Sequence, residues 1–329
     1  MTFSSQQTEK NFLIAILGPT ASGKSSLAIA IAQQYNGEII SVDSRQIYRG
    51  MDIGTGKVTH EEMQNIPHHL LDIADPNDEY NVTDFVRDAQ TAISDIQSRG
   101  KLPILCGGTG FWAQALLTGQ SFPTVPPDPA LRAKLSQLTA EELFAQLEQL
   151  NPERAATIDR HNPVRLIRAI EIALHCHPAL DAGSRFNCIQ MQPGSPIESG
   201  MTQNKQLKNI LHFIIVLNPP IETLREKIKT RLDERFNQGM IEEVQRLHEQ
   251  GVRFEKLEAF GLEYRWIARY LQHKFDEKTM REKLYFDIVH YAKRQLTWLR
   301  RWERQGETIH WFTESDEALH FIKNSLREK

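Results

Sequence analysis

The chain has 329 residues, 40% hydrophobic and 25% charged, with a formal net charge of −3. That composition excludes disordered and fibrous classes and leaves room for roughly two folding units. The small negative charge excludes nucleic-acid binding by bulk positive charge, though not by a local basic face.

No uninterrupted apolar run exceeds six residues, against the roughly 18 that a membrane span requires. The polar start over 1–10 lacks the basic region and apolar stretch of a signal peptide. Cys106, Cys176 and Cys188 are odd in number and show no metal-ligand spacing, which fits a reducing compartment. A soluble cytoplasmic protein without membrane association is expected.

In chain order, 12–17 reads as a buried strand stopping at Gly18. Leu27, Ala28, Ile31, Ala32 and Tyr35 then recur at helical spacing. After Gly37, residues 38–43 form a second strand with Asp43 at its carboxyl end, completing a βαβ unit. A third strand over 102–106 runs into Gly107-Gly108-Thr109-Gly110, and a fourth over 210–217 ends at Asn218-Pro219-Pro220. Strands that are apolar without alternation predict a parallel sheet covered on both faces.

About 100 residues separate the third and fourth strands, too many for a simple crossover. They predict an inserted helical subdomain that opens with the Pro-rich 123–129, has helices over 131–138, 141–150 and 164–174, and closes in a surface loop over 177–206. The rest is mainly helical to Arg304, with an edge strand over 307–312. The expected organisation is an α/β P-loop core over 1–121, an insertion over 122–206, and a segment over 207–329 that returns to complete the core.

Gly18-Pro19-Thr20-Ala21-Ser22-Gly23-Lys24-Ser25 fits G-x-x-x-x-G-K-[ST] without mismatch, between a predicted strand and a predicted helix. Backbone amides and the helix start can surround an anion there, Lys24 can neutralise the outer phosphate, and Ser25 can ligate Mg2+. The motif specifies a polyphosphate without saying which. The Asn-Lys-x-Asp base reader of GTPases is missing, since Asn204-Lys205 is followed by Gln206-Leu207. Adjacent His68 and His69 point apart as neighbours on a chain, so they predict packing in a loop rather than a metal site.

This loop, followed by Ser41-Val42-Asp43-Ser44-Arg45-Gln46-Ile47-Tyr48, Met51-Asp52-Ile53-Gly54-Thr55-Gly56-Lys57, Pro67-His68-His69-Leu70-Leu71-Asp72 and Gly107-Gly108-Thr109-Gly110, closely resembles the tRNA dimethylallyltransferases. The likeness continues through Arg165-Leu166-Ile167-Arg168-Ala169-Ile170-Glu171 and Ala292-Lys293-Arg294-Gln295-Leu296-Thr297-Trp298-Leu299-Arg300. Departures are Trp112 in place of a tyrosine, His161-Asn162 in the insertion, and two extra residues in Gly261-Leu262-Glu263-Tyr264-Arg265.

The resemblance implies transfer of a dimethylallyl group from dimethylallyl diphosphate to N6 of the adenosine 3′-adjacent to the anticodon, in tRNAs reading codons that start with U. It implies Mg2+ as cofactor, the anticodon stem-loop as partner and a monomer. Lys24, Thr109 and Arg231 would hold the diphosphate, and Asp43 would be the general base. From the residues alone, Thr109 could instead cap a helix, and Asp43 could cap the next turn or hold Mg2+ through water. Ser44, Arg45 and Gln46 would line the pocket of a flipped adenine. Arg132, Val164, Arg165, Leu166, Ile167, Arg168, Tyr264, Arg265, Lys293, Arg294, Gln295 and Trp298 would meet the tRNA. The alternatives are a P-loop kinase for a small molecule or nucleotide, and a prenyltransferase acting on free AMP.

Overall fold

The computed structural model describes residues 12–120, 122–123, 125–175 and 211–327. The loop expected over 177–206, the polar start over 1–10, Cys176 and Cys188 lie outside the described residues. The chain divides into two compact units, 1–120 with 203–329, and 121–202.

The first unit begins with β1 (Phe12–Leu17), α1 (Lys24–Gln34), β2 (Gly37–Val42), β3 (His68–His69), α2 (Val82–Ser98), β4 (Leu102–Gly107) and α3 (Gly110–Thr118). The second unit contains α4 (Pro129–Leu135), α5 (Ala140–Leu150), α6 (Pro152–Ala155) and α7 (Pro163–His175). The chain then returns through β5 (Leu211–Leu217), α8 (Ile221–Asn237), α9 (Met240–Glu249), α10 (Phe254–Phe260), α11 (Leu262–Leu271), α12 (Glu277–Arg304), β6 (Ile309–Phe312) and α13 (Ser315–Arg327).

The six strands form one parallel sheet in the order β3-β2-β4-β1-β5-β6. On one face, α1 and α13 place Leu27, Ile31, Ala318 and Ile322 against Ile14, Ile16, Ile104 and Ile215. Elsewhere α2 buries Phe85, Val86, Ala89, Ile93 and Ile96 at helical spacing, and Phe85 stacks on Trp112 of α3 at 4.6 Å. An apolar side chain fully buried in this way contributes about 1.5–3 kcal/mol. Asn81 starts α2 with a capping box closed by Asp84.

One expectation is corrected. His68 and His69 form a short edge strand, not a loop, pairing in parallel with Ile39 and Ile40. His69 Nε2 hydrogen-bonds Glu38 Oε2 at 2.8 Å. Glu38 is buried and also accepts from Arg99 and Lys101, so three basic side chains hold its carboxyl well below the usual carboxylate range.

The second unit has its own small core of Leu135, Leu143, Leu147, Leu166 and Ile170. Asp128 caps α4, with Pro129 in the first turn, and a Thr139–Glu142 capping box starts α5. Glu171 is fully buried between Arg132, whose Nε lies 2.9 Å away, and Arg168, whose Nη1 lies 2.5 Å away. Despite burial, those partners and the Asp128 backbone N–H depress its pKa to about 2.

Candidate active site

The sheet itself gathers the site. All strands are parallel, so their carboxyl ends share one edge, where ligands bind in open α/β folds. Gly107 pairs with Val42 on one side and Leu17 on the other. The segments that follow β1, β2 and β4 are therefore neighbours, although they start at residues 18, 43 and 108.

After β1 the chain takes the conformation an anion cradle requires. Gly18 has φ +152°, and a Cβ there would lie 2.6 Å from the Leu217 carbonyl oxygen, so a larger residue would separate the loop from β5. Gly23 enters α1 with φ +92°. Lys24 Nζ donates to the Pro19 carbonyl at 3.1 Å. Burial lowers the Lys24 pKa, and Arg231 and Arg235 push the same way against Cys106 and Asp43. The Ser25 hydroxyl bonds the Cys106 thiol, whose pKa burial raises to about 11.

Two arginines of α8 enlarge this positive region. A Cβ on Gly56 would fall 2.0 Å from Arg231 Nη2 and 1.6 Å from Arg235 Nη2, so a larger residue would push the guanidiniums aside and also strain a backbone at φ +62°. Arg235 is buried, its Nη2 has no hydrogen-bond partner, and burial lowers its pKa to about 10. Lys24, Arg231 and Arg235 place more positive than negative charge around the loop, which suits a polyphosphate.

Asp43 follows β2 directly. Its Oδ1 accepts the Arg45 N–H at 2.9 Å, realising the turn-capping alternative for that oxygen, while Oδ2 accepts no hydrogen bond among the described residues. Thr109 precedes α3 without capping it by its side chain. Its Oγ1 accepts the Ser44 N–H at 3.2 Å, and the Tyr291 hydroxyl bonds it as well.

Arg45 Nη1 lies 2.7 Å from Glu263 Oε2, and Arg235 Nη1 lies 3.3 Å from the other Glu263 oxygen. Gln46 accepts from the Ser41 hydroxyl at 3.1 Å and donates to the Gly56 carbonyl at 3.2 Å. Both side chains are thus occupied in joining loops. The arrangement sets a carboxylate oxygen free to take a proton beside a cationic phosphate cradle.

The family model for IPP transferase matches residues 46–302, and that for isopentenyl transferase matches residues 12–78. The chain belongs to the IPP transferase family. It is 42% identical over 307 residues to tRNA dimethylallyltransferase 1 of Geotalea daltonii, covering 93% of this chain and 92% of that one. It is 41% identical over 322 residues to tRNA dimethylallyltransferase 2 of Bacteroides fragilis strain YCH46, covering 96% and 97%. Among solved structures, the tRNA isopentenylpyrophosphate transferase of Bacillus halodurans superposes with a TM-score of 0.66 at 32% identity, covering 97% of each chain.

For this member of the IPP transferase family, the remaining sequence-predicted residues divide by exposure. Lys293 and Arg294 are exposed on α12, as are Val164 and Arg165 on α7. Ile167, Arg168, Arg265 and Trp298 are partly exposed. Leu166 is fully buried in the core of its own unit, and Arg132 and Arg168 are paired with Glu171. Tyr264 is fully buried, and its hydroxyl donates to Glu243 Oε1 at 2.8 Å. No helix among the described residues is long and apolar enough to cross a membrane.

The sequence reading missed four positions. Glu243 accepts the backbone N–H groups of Asp52, Ile53 and Gly54 at 2.7–3.0 Å and so fixes the segment that carries Gly56. Glu263 pairs Arg45 with Arg235, Arg235 itself borders the cradle, and Tyr291 faces Asp43 and Thr109. For Glu243 a signal existed. It shares a helix face with Met240, Val244 and Leu247, and an acid on an apolar stripe needs buried partners.

Proposed function

We infer that this protein is a tRNA dimethylallyltransferase, moving a dimethylallyl group from dimethylallyl diphosphate to N6 of the adenosine 3′-adjacent to the anticodon. The observation that carries the reading is the carboxylate of Asp43, one oxygen fixed by Arg45 N–H and the other without a hydrogen bond among the described residues, on the sheet edge that also bears the Lys24 loop. A P-loop alone suits many polyphosphates. A base beside it suits a nucleophile that loses a proton.

In this mechanism the loop amides, Lys24, Arg231 and the Thr109 hydroxyl bind the diphosphate and stabilise the charge it gains on leaving. The adenine N6 lone pair forms a bond to the allylic carbon as the carbon–oxygen bond to diphosphate breaks. The proton shed by N6 passes to Asp43. The adenine must leave the stacked loop to reach this edge, where Ser44, Arg45, Gln46 and Tyr291 border it.

Mg2+ completes the reading. Ser25 is the second residue of α1, and its hydroxyl is one of the side-chain oxygens of the loop, beside those of Thr20 and Ser22; no cluster of three metal-ligating side chains occurs among the described residues. One hydroxyl plus substrate phosphate oxygens is the donor set that P-loop magnesium uses. Bound there, the ion would neutralise charge on the leaving diphosphate.

For RNA binding, Lys293, Arg294 and Arg300 on α12 and Arg165 on α7 are exposed cations of the matching motifs, suited to phosphate contacts, with Trp298 adding an aromatic plane. The enzyme is proposed to act as a cytoplasmic monomer.

The test is incubation of purified protein with Mg2+, radiolabelled dimethylallyl diphosphate and unmodified total tRNA, with AMP as parallel acceptor. Label on tRNA adenosine but not on AMP is expected. Label on AMP alone overturns the acceptor. Label on neither, with phosphoryl transfer from ATP to a small acceptor, overturns the chemistry.

A further inference from the structure

Gln295 lies on the buried side of α12, 7% exposed. Its Oε1 accepts the backbone N–H of Thr20, inside the phosphate loop, at 2.9 Å. Its Nε2 donates to the carbonyl of Gly108, in the turn that carries Thr109, also at 2.9 Å. One side-chain amide therefore spans the two segments that follow β1 and β4.

The turn is shaped to admit it. A Cβ on Gly108 would lie 2.1 Å from Gln295 Nε2, and a Cβ on Gly110 would lie 2.6 Å from Trp298 Cδ1. Two glycines of the turn after β4 thus receive side chains of α12. Thr20 has a single backbone hydrogen, and Gln295 occupies it, so this amide is not offered to the diphosphate.

We propose that Gln295 is a positioning residue that holds the diphosphate cradle in register with the Thr109 turn, making α12 the joint between the RNA-facing surface and the leaving-group site. Lys293 and Arg294, exposed two and one residues before it, are on the same helical turn. A displacement of α12 by bound RNA would reach the cradle through one rigid amide, with no intervening loop. The inference rests on the reading of the cradle as the diphosphate site.

The test uses Gln295→Met, which keeps volume and removes both hydrogen bonds, beside a Lys293→Ala/Arg294→Ala variant. Steady-state kinetics with dimethylallyl diphosphate and tRNA are expected to show Gln295→Met raising KM for the diphosphate and lowering kcat, with kcat/KM down about 10- to 100-fold. KM for tRNA should be unchanged. The double variant should raise KM for tRNA alone. Gly108→Ala, which displaces the same amide from the other side, should reproduce the Gln295→Met pattern.

A Gln295→Met enzyme within about twofold of wild type in every constant would overturn the proposal. So would one impaired only in KM for tRNA, since Gln295 would then be an RNA contact. If Gln295→Met does not fold, Gln295→Glu replaces it in the comparison, keeping an acceptor for Thr20 and setting an oxygen against the Gly108 carbonyl. Wild-type protein that transfers no label to tRNA removes the functional reading itself. A transferring wild type with an unaffected variant removes only this inference.

Discussion

Thr109 Oγ1 accepts the backbone N–H of Ser44 at 3.2 Å, so the turn after β4 holds the residue that follows Asp43. The contact closes a gap of 65 residues in sequence and depends on the β2–β4 pairing beneath it. The Thr109 hydroxyl also bonds the Tyr291 hydroxyl, so its hydrogen would turn from Tyr291 to serve a diphosphate oxygen. Thr109→Val should lower kcat about 10- to 100-fold through loss of both functions. Thr109→Ser should recover most of that loss, measured as single-turnover transfer to tRNA.

Asp43→Ala removes the proposed proton acceptor and breaks no hydrogen bond of the Lys24 loop. Transfer should fall about 100- to 10,000-fold, while inhibition by inorganic diphosphate stays unchanged. Loss of diphosphate inhibition in this variant would assign Asp43 to the leaving-group side.

Lys24 gives a pH dependence whose sign follows from its surroundings. Burial lowers its pKa below 10.5, and the protonated ammonium is the form that holds diphosphate. As pH rises from neutral toward 10.5, kcat/KM for dimethylallyl diphosphate should decline earlier than an ordinary lysine would allow, with KM carrying the change. In the ligand-free protein a depressed lysine pKa penalises folding at pH values below it. Lys24→Met should therefore raise Tm of the empty protein by about 2–4 °C while reducing kcat/KM about 100- to 1,000-fold. Calorimetry and kinetics on one preparation check both signs.

Glu171 tests the second unit. Its pKa of about 2 lies below that of an unfolded glutamate, so its stabilisation is complete above about pH 4.5 and is lost as pH falls toward 2. Glu171→Ala should destabilise this unit by about 3 kcal/mol. That is the low end for a broken buried pair, because both guanidiniums keep about a third of their surface in water. Hydrogen exchange in α4 and α7 should rise while the sheet stays protected.

Buried ties around the site set a further expectation. Glu243→Gln weakens four hydrogen bonds to a buried carboxylate and should cost about 3 kcal/mol, whereas Tyr264→Phe removes one and should cost about 1 kcal/mol. Denaturant unfolding checks the ratio. Because the two residues are in contact, the double variant should cost less than the sum.

The sheet was legible because its strands are short apolar runs ended by glycine, proline or Asp43, and the cradle because its motif sits between β1 and α1. The edge strand His68–His69 escaped notice, since two polar residues carry no periodicity and the pairing is supplied by β2. By sequence Gln295 falls on the RNA side, because Lys293, Arg294 and Trp298 surround it. Its actual orientation was readable from Ile288, Ala292, Leu299 and Trp302, which put position 295 on the buried stripe of α12. Glu263 and Tyr291 could not be found this way, because their partners Arg45 and Thr109 are remote in sequence and meet them only in the fold.

The most direct measurement of the central claim is nuclease digestion and mass spectrometry of a synthetic anticodon stem-loop after reaction with dimethylallyl diphosphate, Mg2+ and either wild-type or Asp43→Ala protein. The account predicts one added C5H8 group on the adenosine 3′-adjacent to the anticodon with wild type and none with Asp43→Ala, although both bind the RNA. Modification by Asp43→Ala at the wild-type rate, or addition elsewhere in the RNA, would contradict it.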